Sequence, residues 1–315
     1  MKLKLKNKLI YLKIFIGLSI LLYLFLQYDL KKIFTNIFIL SIYQIGIIWF
    51  FAFFQTLINA IIMKKSFKIF GINENILSLY KRILAGLFYG QIFPSTIGRD
   101  TYYVSYFGKK YRKYLEIFSA IFLARFFGFF VSFVLFILSL FYLKEKIYLS
   151  SSFIKKIEIM IPLALIFIIG IFFLFKNFLS SKWEGIKNRF KNMVKYFQNS
   201  FLNVTFLLLL TILFYSVSIG AKLYIGSVLN IKMDFLKIAS IIVVTNFIIM
   251  FPISISGIGV REGTYTVLLS SFGVDGETAI SFSLLDFSMT IILIITGGAL
   301  VQFENYLRLR KKKMK

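Results

Sequence analysis

Residues 251–263 read FPISISGIGVREG, and they fall where a membrane helix should run on without interruption. Sixteen mostly apolar residues lead into the stretch, LKIASIIVVTNFIIMF from Leu236, and an apolar segment, TYTVLLSSFGV, follows it. Between them stand Pro252, Gly257, Gly259 and the adjacent Arg261 and Glu262. Proline and paired glycines break a helix, and an Arg–Glu pair at bilayer depth is costly unless it faces protein or water. A weaker copy, FPSTIGRDTYY, occupies residues 93–103. Each copy reads Phe-Pro, a short small or polar run, Gly, Arg followed by an acid, then Tyr. Arg99 and Arg261 stand 162 positions apart, about half the chain. The protein is read as built around these two breaks.

With 59% hydrophobic and 16% charged residues, the 315-residue chain is too apolar for an ordinary soluble surface. Several runs approach the ~20 residues that span a bilayer. Cysteine and histidine are both absent, which removes disulfides, thiolate chemistry and the commonest metal ligand and general base. No cofactor and no metal site is expected, and carboxylates are the main catalytic groups left. A net charge of +25 would suggest nucleic acid in a soluble protein. Here the basic residues cluster between apolar runs, which favours positive-inside topology and contact with anionic lipid heads.

Apolar spans are expected at 9–26, 37–63, 117–143, 157–175, 201–229 and 278–303, and the first is read as a retained span, not a cleaved leader. The two broken segments, 83–108 and 235–273, lie between spans. If each broken segment is a re-entrant hairpin, 25 Lys and Arg fall on the cytoplasmic side and eight outside. If both cross fully, the split becomes 15 against 18 and the bias vanishes. The positive-inside rule therefore selects the re-entrant arrangement, with both termini cytoplasmic. The fold expected is an all-α polytopic membrane protein with about six full spans plus two re-entrant broken-helix hairpins, arranged as an inverted-topology repeat. It forms a single integral membrane domain. The first repeat covers about 37–143 and the second about 201–303, with an N-terminal span in 1–36 and a linking span and basic cytoplasmic loop in 144–200.

Each break sets an arginine beside the start of a short helix, whose free N–H groups and positive dipole end suit an anion. Two readings stay open. In one, a phospholipid or lipid-phosphate head group binds at Arg99, Asp100, Gly98 and Pro94 of the first break and at Gly257, Gly259, Arg261 and Glu262 of the second. The glycine N–H groups would serve as donors there. In the other, Arg99 pairs with Glu262 and Arg261 with Asp100 as a static lock. Arg125, eight residues into its span and about 12 Å deep at ~1.5 Å per residue, either snorkels or joins the site. Lys222 reads as a snorkelling residue, and Asp286 as a partner for Arg125 or Lys222. Tyr102 and Tyr265 share a place after the Arg–acid pair.

At these residues the sequence resembles the flippase-like family formed by the transmembrane domain of lysylphosphatidylglycerol synthases and its stand-alone relatives. PISISGIGVREG, followed by an apolar run and FGV, is similar to that family's Pro, Gly-x-Gly-x-Arg-Glu and Gly signature. FPSTIGRDTYYV resembles its Pro-x-x-x-Gly-Gly-Asp-x-x-Arg, with Arg99 where a second glycine is usual and Tyr103 where an arginine is usual. Either the basic group has moved to Arg99 or the head-group preference differs. Gln91 stands near a place that often holds Asn. Full-length synthases carry a soluble aminoacyl-transfer domain after the membrane domain. With the chain ending at Lys315, the resemblance implies lipid translocation in the inner membrane, without enzymatic aminoacylation. Alternatives are a membrane glycosyl or phosphoryl transferase acting on a polyprenyl carrier, with Asp100 or Glu262 as base, and a non-catalytic partner of a separate lipid-modifying enzyme.

Overall fold

The computed structural model describes residues 2–92, 96–146, 201–250, 254 and 257–313, and those residues are helical throughout apart from short turns. In chain order the helices are α1 (Lys2–Gln27), α2 (Leu30–Phe38), α3 (Ile42–Ile69), α4 (Ile76–Ile92), α5 (Thr96–Tyr111), α6 (Tyr114–Lys146), α7 (Phe201–Val228), α8 (Phe235–Met250), α9 (Val260–Ser270) and α10 (Gly276–Lys313). Four stretches are long and apolar enough to cross a membrane: Ile42–Ile69, Tyr114–Leu143, Leu202–Val228 and Gly276–Leu307. The expected first span survives as a shorter apolar helix, Phe15–Gln27. The expected span at 157–175 and the basic loop after it lie outside the described residues.

Helix ends depart from the hydropathy boundaries for local reasons. The span expected from residue 37 starts instead at Ile42, because Ser41 caps α3. The Ser41 hydroxyl accepts from the Gln44 N–H at 3.3 Å, and the Gln44 side chain accepts from the Ser41 N–H at 2.8 Å. Lys64, Lys65 and Lys68, expected in a loop, form the last turns of that helix. Likewise α10 continues through the basic tail to Lys313. Hydropathy marks the membrane, whereas caps mark the helix.

The helices on either side of the breaks are short. At 1.5 Å per residue, α4, α5 and α8, with 17, 16 and 16 residues, reach about 25 Å, and α9, with 11, about 16 Å. None matches the ~30 Å hydrocarbon core. The ends of each broken segment instead come back together. Before α4, Glu74 receives Lys110 Nζ at 2.6 Å and the Tyr111 hydroxyl at 3.0 Å, both from the end of α5, and Tyr111 also reaches the Asn73 carbonyl at 3.1 Å. In the second segment, Lys237 near the start of α8 sits 5.7 Å from the ring centroid of Phe272, just past α9.

Burial pushes the Glu74 carboxyl up, but the hydrogen bonds from Lys110 and Tyr111 together outweigh it and hold the group below its ordinary 4.5. A carboxylate with a lowered folded value stabilises the fold above the ordinary value and loses that contribution as pH falls through the lowered one. Glu74→Gln is therefore expected to cost about 1 kcal/mol at neutral pH, with Lys110 exposed enough to rehydrate. Melting curves of wild type and variant should converge below about pH 4; a gap that stays constant down to pH 3 would mean that Glu74 carries no such charge.

Packing follows one pattern in both halves. In the first, α4 contacts α3 and α5, and α6 contacts α3 and α5; in the second, α8 contacts α7 and α9, and α10 contacts α7 and α9. Across the halves α3 packs on α7, α4 on α10, α8 on α6, α3 on α10, and α7 on α6. Exchanging α3 with α7, α4 with α8, α5 with α9 and α6 with α10 leaves this set of contacts unchanged. Phe247 of α8 stacks on Phe136 of α6 at 4.1 Å between centroids, while Arg82 of α4 pairs with Glu304 of α10. Two large apolar clusters form most of the core, one dominated by α6–α10 residues and one by α3–α7 residues, and a small third joins Leu24, Ile33 and Ile280.

Candidate functional site

The second break is shaped by its glycines. Gly257 and Gly259 have φ of +77° and +81°, the left-handed region that favours glycine. A side chain at Gly259 would also overlap the backbone carbonyl of Gly17, where α1 crosses the break. The chain turns into α9 with the Arg261 N–H on the Gly257 carbonyl at 2.8 Å. Glu262, the third residue of α9, reaches back to accept from the Gly259 N–H at 2.6 Å, which is half of a capping box. Its other oxygen accepts from Ser283 of α10 at 3.2 Å. Glu262 thus fastens the break to α10, and the Gly259 N–H, expected as a phosphate donor, is already spoken for.

Arg261 points the other way. Its Nε lies 3.9 Å from Asp286 Oδ2, and the other Asp286 oxygen lies 3.4 Å from Lys222 Nζ, which also donates to the Ser218 hydroxyl at 3.1 Å. The three charged residues come from α9, α10 and α7 and are 6–8% exposed. The Arg261 guanidinium also lies 4.8 Å from the Phe287 ring centroid. They line a cavity of about 260 Å³ whose remaining polar wall includes Gln55, Ser132, Asn246 and Thr290.

The first break carries a matching pair of opposite sense. Asp100 on α5 accepts from Arg125 on α6 at 2.9 Å, and both are partly exposed. Arg125 lines a second cavity of about 140 Å³ together with Asn59, Tyr103 and Thr211. In each half a charge just after the break meets a charge on the following helix: Asp100 with Arg125, Arg261 with Asp286. The two cavities share a wall, Phe214 and Tyr215 of α7, and the Tyr215 hydroxyl donates to the Gly128 carbonyl of α6 at 2.9 Å.

The expected cross-lock of Arg99 with Glu262 and Arg261 with Asp100 is therefore replaced by pairing within each half. Arg99 packs its stem over Gly90 of α4, and Gly98 is buried beside it; neither lines the two cavities. Pro94 lies outside the described residues. Asp286 takes Lys222, one of the two partners weighed for it, so Lys222 does not snorkel. Tyr102 accepts from Arg82 at 3.2 Å, and Tyr265 is fully buried edge-on to Phe282 at 4.9 Å, so neither meets the other break. Charge inside an apolar span was the available signal for Lys222 and Asp286. Gln55, Ser132 and Asn246 carried no such signal.

Fold and site together define a multi-pass, all-helical membrane protein with paired charge at two helix breaks, buried at the second. The chain belongs to the family described as the lysylphosphatidylglycerol synthase TM region, whose model matches residues 10–298. No curated protein and no solved structure gives a match. Family membership ties the chain to a lipid-related role in the membrane.

Proposed function

We propose that the protein is a lipid translocase that carries a phospholipid or lipid-phosphate molecule between leaflets, with the head group received at the breaks. The observation that carries this reading is the cavity where the buried side chains of Lys222 and Arg261 share one acid, Asp286. Two cations held by one carboxylate at 3.4 and 3.9 Å, both longer than a good charge-assisted hydrogen bond, leave room for a phosphate to replace it. Arg125, paired with Asp100, forms the corresponding station in the first half, with Arg99 and Gly98 shaping the break behind it, and Gly257, Gly259 and Glu262 hold the second break in shape.

Two further observations support alternating access. Each broken segment returns to its own starting end, as a re-entrant hairpin does, and the contact pattern survives exchange of the halves, as an inverted repeat of about 37–143 and 201–303 requires. Both termini lie on the cytoplasmic side of the inner membrane in this reading. The basic segments then meet anionic lipid, and a separate lipid-modifying enzyme supplies the substrate. Arg261→Ala is expected to slow lipid transfer in proteoliposomes about tenfold or more, the loss of one charge-assisted contact. Unchanged transfer by a folded variant would sink the site.

A further inference from the structure

We infer that the head group taken at the second break is an anionic phosphodiester bearing neutral, hydroxyl-rich substituents, and that a cationic aminoacyl head is rejected. The inference rests on the translocase reading for its route but on cavity charge for its content. Lys222 and Arg261 outnumber the one acid among the described residues that line the cavity, Asp286. Glu262, next to Arg261 in the chain, has one oxygen on the Gly259 N–H at 2.6 Å and the other on Ser283 at 3.2 Å, and it does not line the cavity.

An incoming phosphate can displace Asp286 from both cations, and one negative charge answers the one excess positive charge. A lysyl ester adds two ammonium groups to the same phosphate. Each would need a carboxylate, and the one acid among the described residues of the wall, Asp286, once displaced by the phosphate can answer only one of them. Like charges brought together in a buried site repel strongly. The rest of the wall suits hydroxyls: Gln55, Ser132, Asn246 and Thr290 offer neutral donors and acceptors. A volume of about 260 Å³ fits a head group and leaves the acyl chains outside.

The test is binding to the purified full chain in a neutral detergent, read as melting shift against concentration. The probes are dioctanoyl phosphatidylglycerol, its lysyl ester, and glycerol phosphate without acyl chains. Phosphatidylglycerol is expected to bind at least about tenfold more tightly than the lysyl ester. Lys222→Gln should weaken phosphatidylglycerol about tenfold and narrow that gap. If Lys222→Gln does not fold, the wild-type series decides alone. Equal or tighter binding of the lysyl ester overturns the inference. Glycerol phosphate as potent as phosphatidylglycerol overturns its lipid part and assigns the cavity to a soluble phosphate. No membrane is crossed in this assay, so selective binding together with failed transfer in proteoliposomes would overturn the translocase and leave the head-group class standing.

Discussion

Gly259→Val is expected to destroy the fold around the second break. Two costs add at this position. A β-branched residue at φ +81° is strained by about 1–3 kcal/mol. Its Cβ would also overlap the Gly17 carbonyl, which is backbone of α1 and cannot swing aside as a side chain would, adding a further 1–3 kcal/mol or so. A total on the order of 4 kcal/mol is a large share of the 5–15 kcal/mol typical of a folded domain. The same displacement would pull the Gly259 N–H away from Glu262 and loosen the tie to Ser283. Gly263→Ala provides the contrast. There the added Cβ meets only Ile20 Cγ2 at 3.4 Å, an ordinary contact, and φ is not positive, so a change within about 1 kcal/mol is expected. Monodispersity after detergent extraction and the melting temperature measure both. A Gly259→Val protein as stable as wild type would show that α1 does not cross the break where the structure has it.

Asp286→Asn is the second large effect. The carboxylate is shared by Lys222 and Arg261, and its removal leaves two buried cations facing one another. Breaking a buried ion pair by removing one partner costs about 3–5 kcal/mol, and the polar cavity places this case near 3. Adding Lys222→Met should recover roughly half of the loss, because one cation alone no longer meets a like charge. Simple addition of the two single-variant costs would mean that Asp286 does not serve both cations. In the presence of an anionic lipid the Asp286→Asn protein should regain stability, since a phosphate takes the vacated place; the lysyl ester should restore less.

Much of the architecture was legible because it is written locally. Of the six spans that long apolar runs announced, four are helices long enough to cross a membrane, one is a shorter apolar helix and one lies outside the described residues; Pro252 with Gly257 and Gly259 announced the second break, which falls between Met250 and Val260. Helix ends were less legible: Ser41 and Gln44 moved one start, and the basic residues after the last apolar run stayed helical. The site was half visible. Arg261 stood out as charge inside an apolar context, and so did Asp286, Lys222 and Arg125. Glu262 looked like a ligand, yet its position as the third residue of α9 turns it toward its own helix start.

Sequence alone determined that this chain lives in a membrane and where its second helix break falls, since hydropathy, proline and glycine act over a few residues. Tertiary packing alone decided which charge meets which. Arg261, Lys222 and Asp286 come from three helices, 39 and 64 positions separate Lys222 from the other two, and the rotation of each helix about its axis selects the face that each side chain presents. That rotation is set by contacts such as Phe247 on Phe136 and Gly259 against Gly17, which depend on the whole bundle.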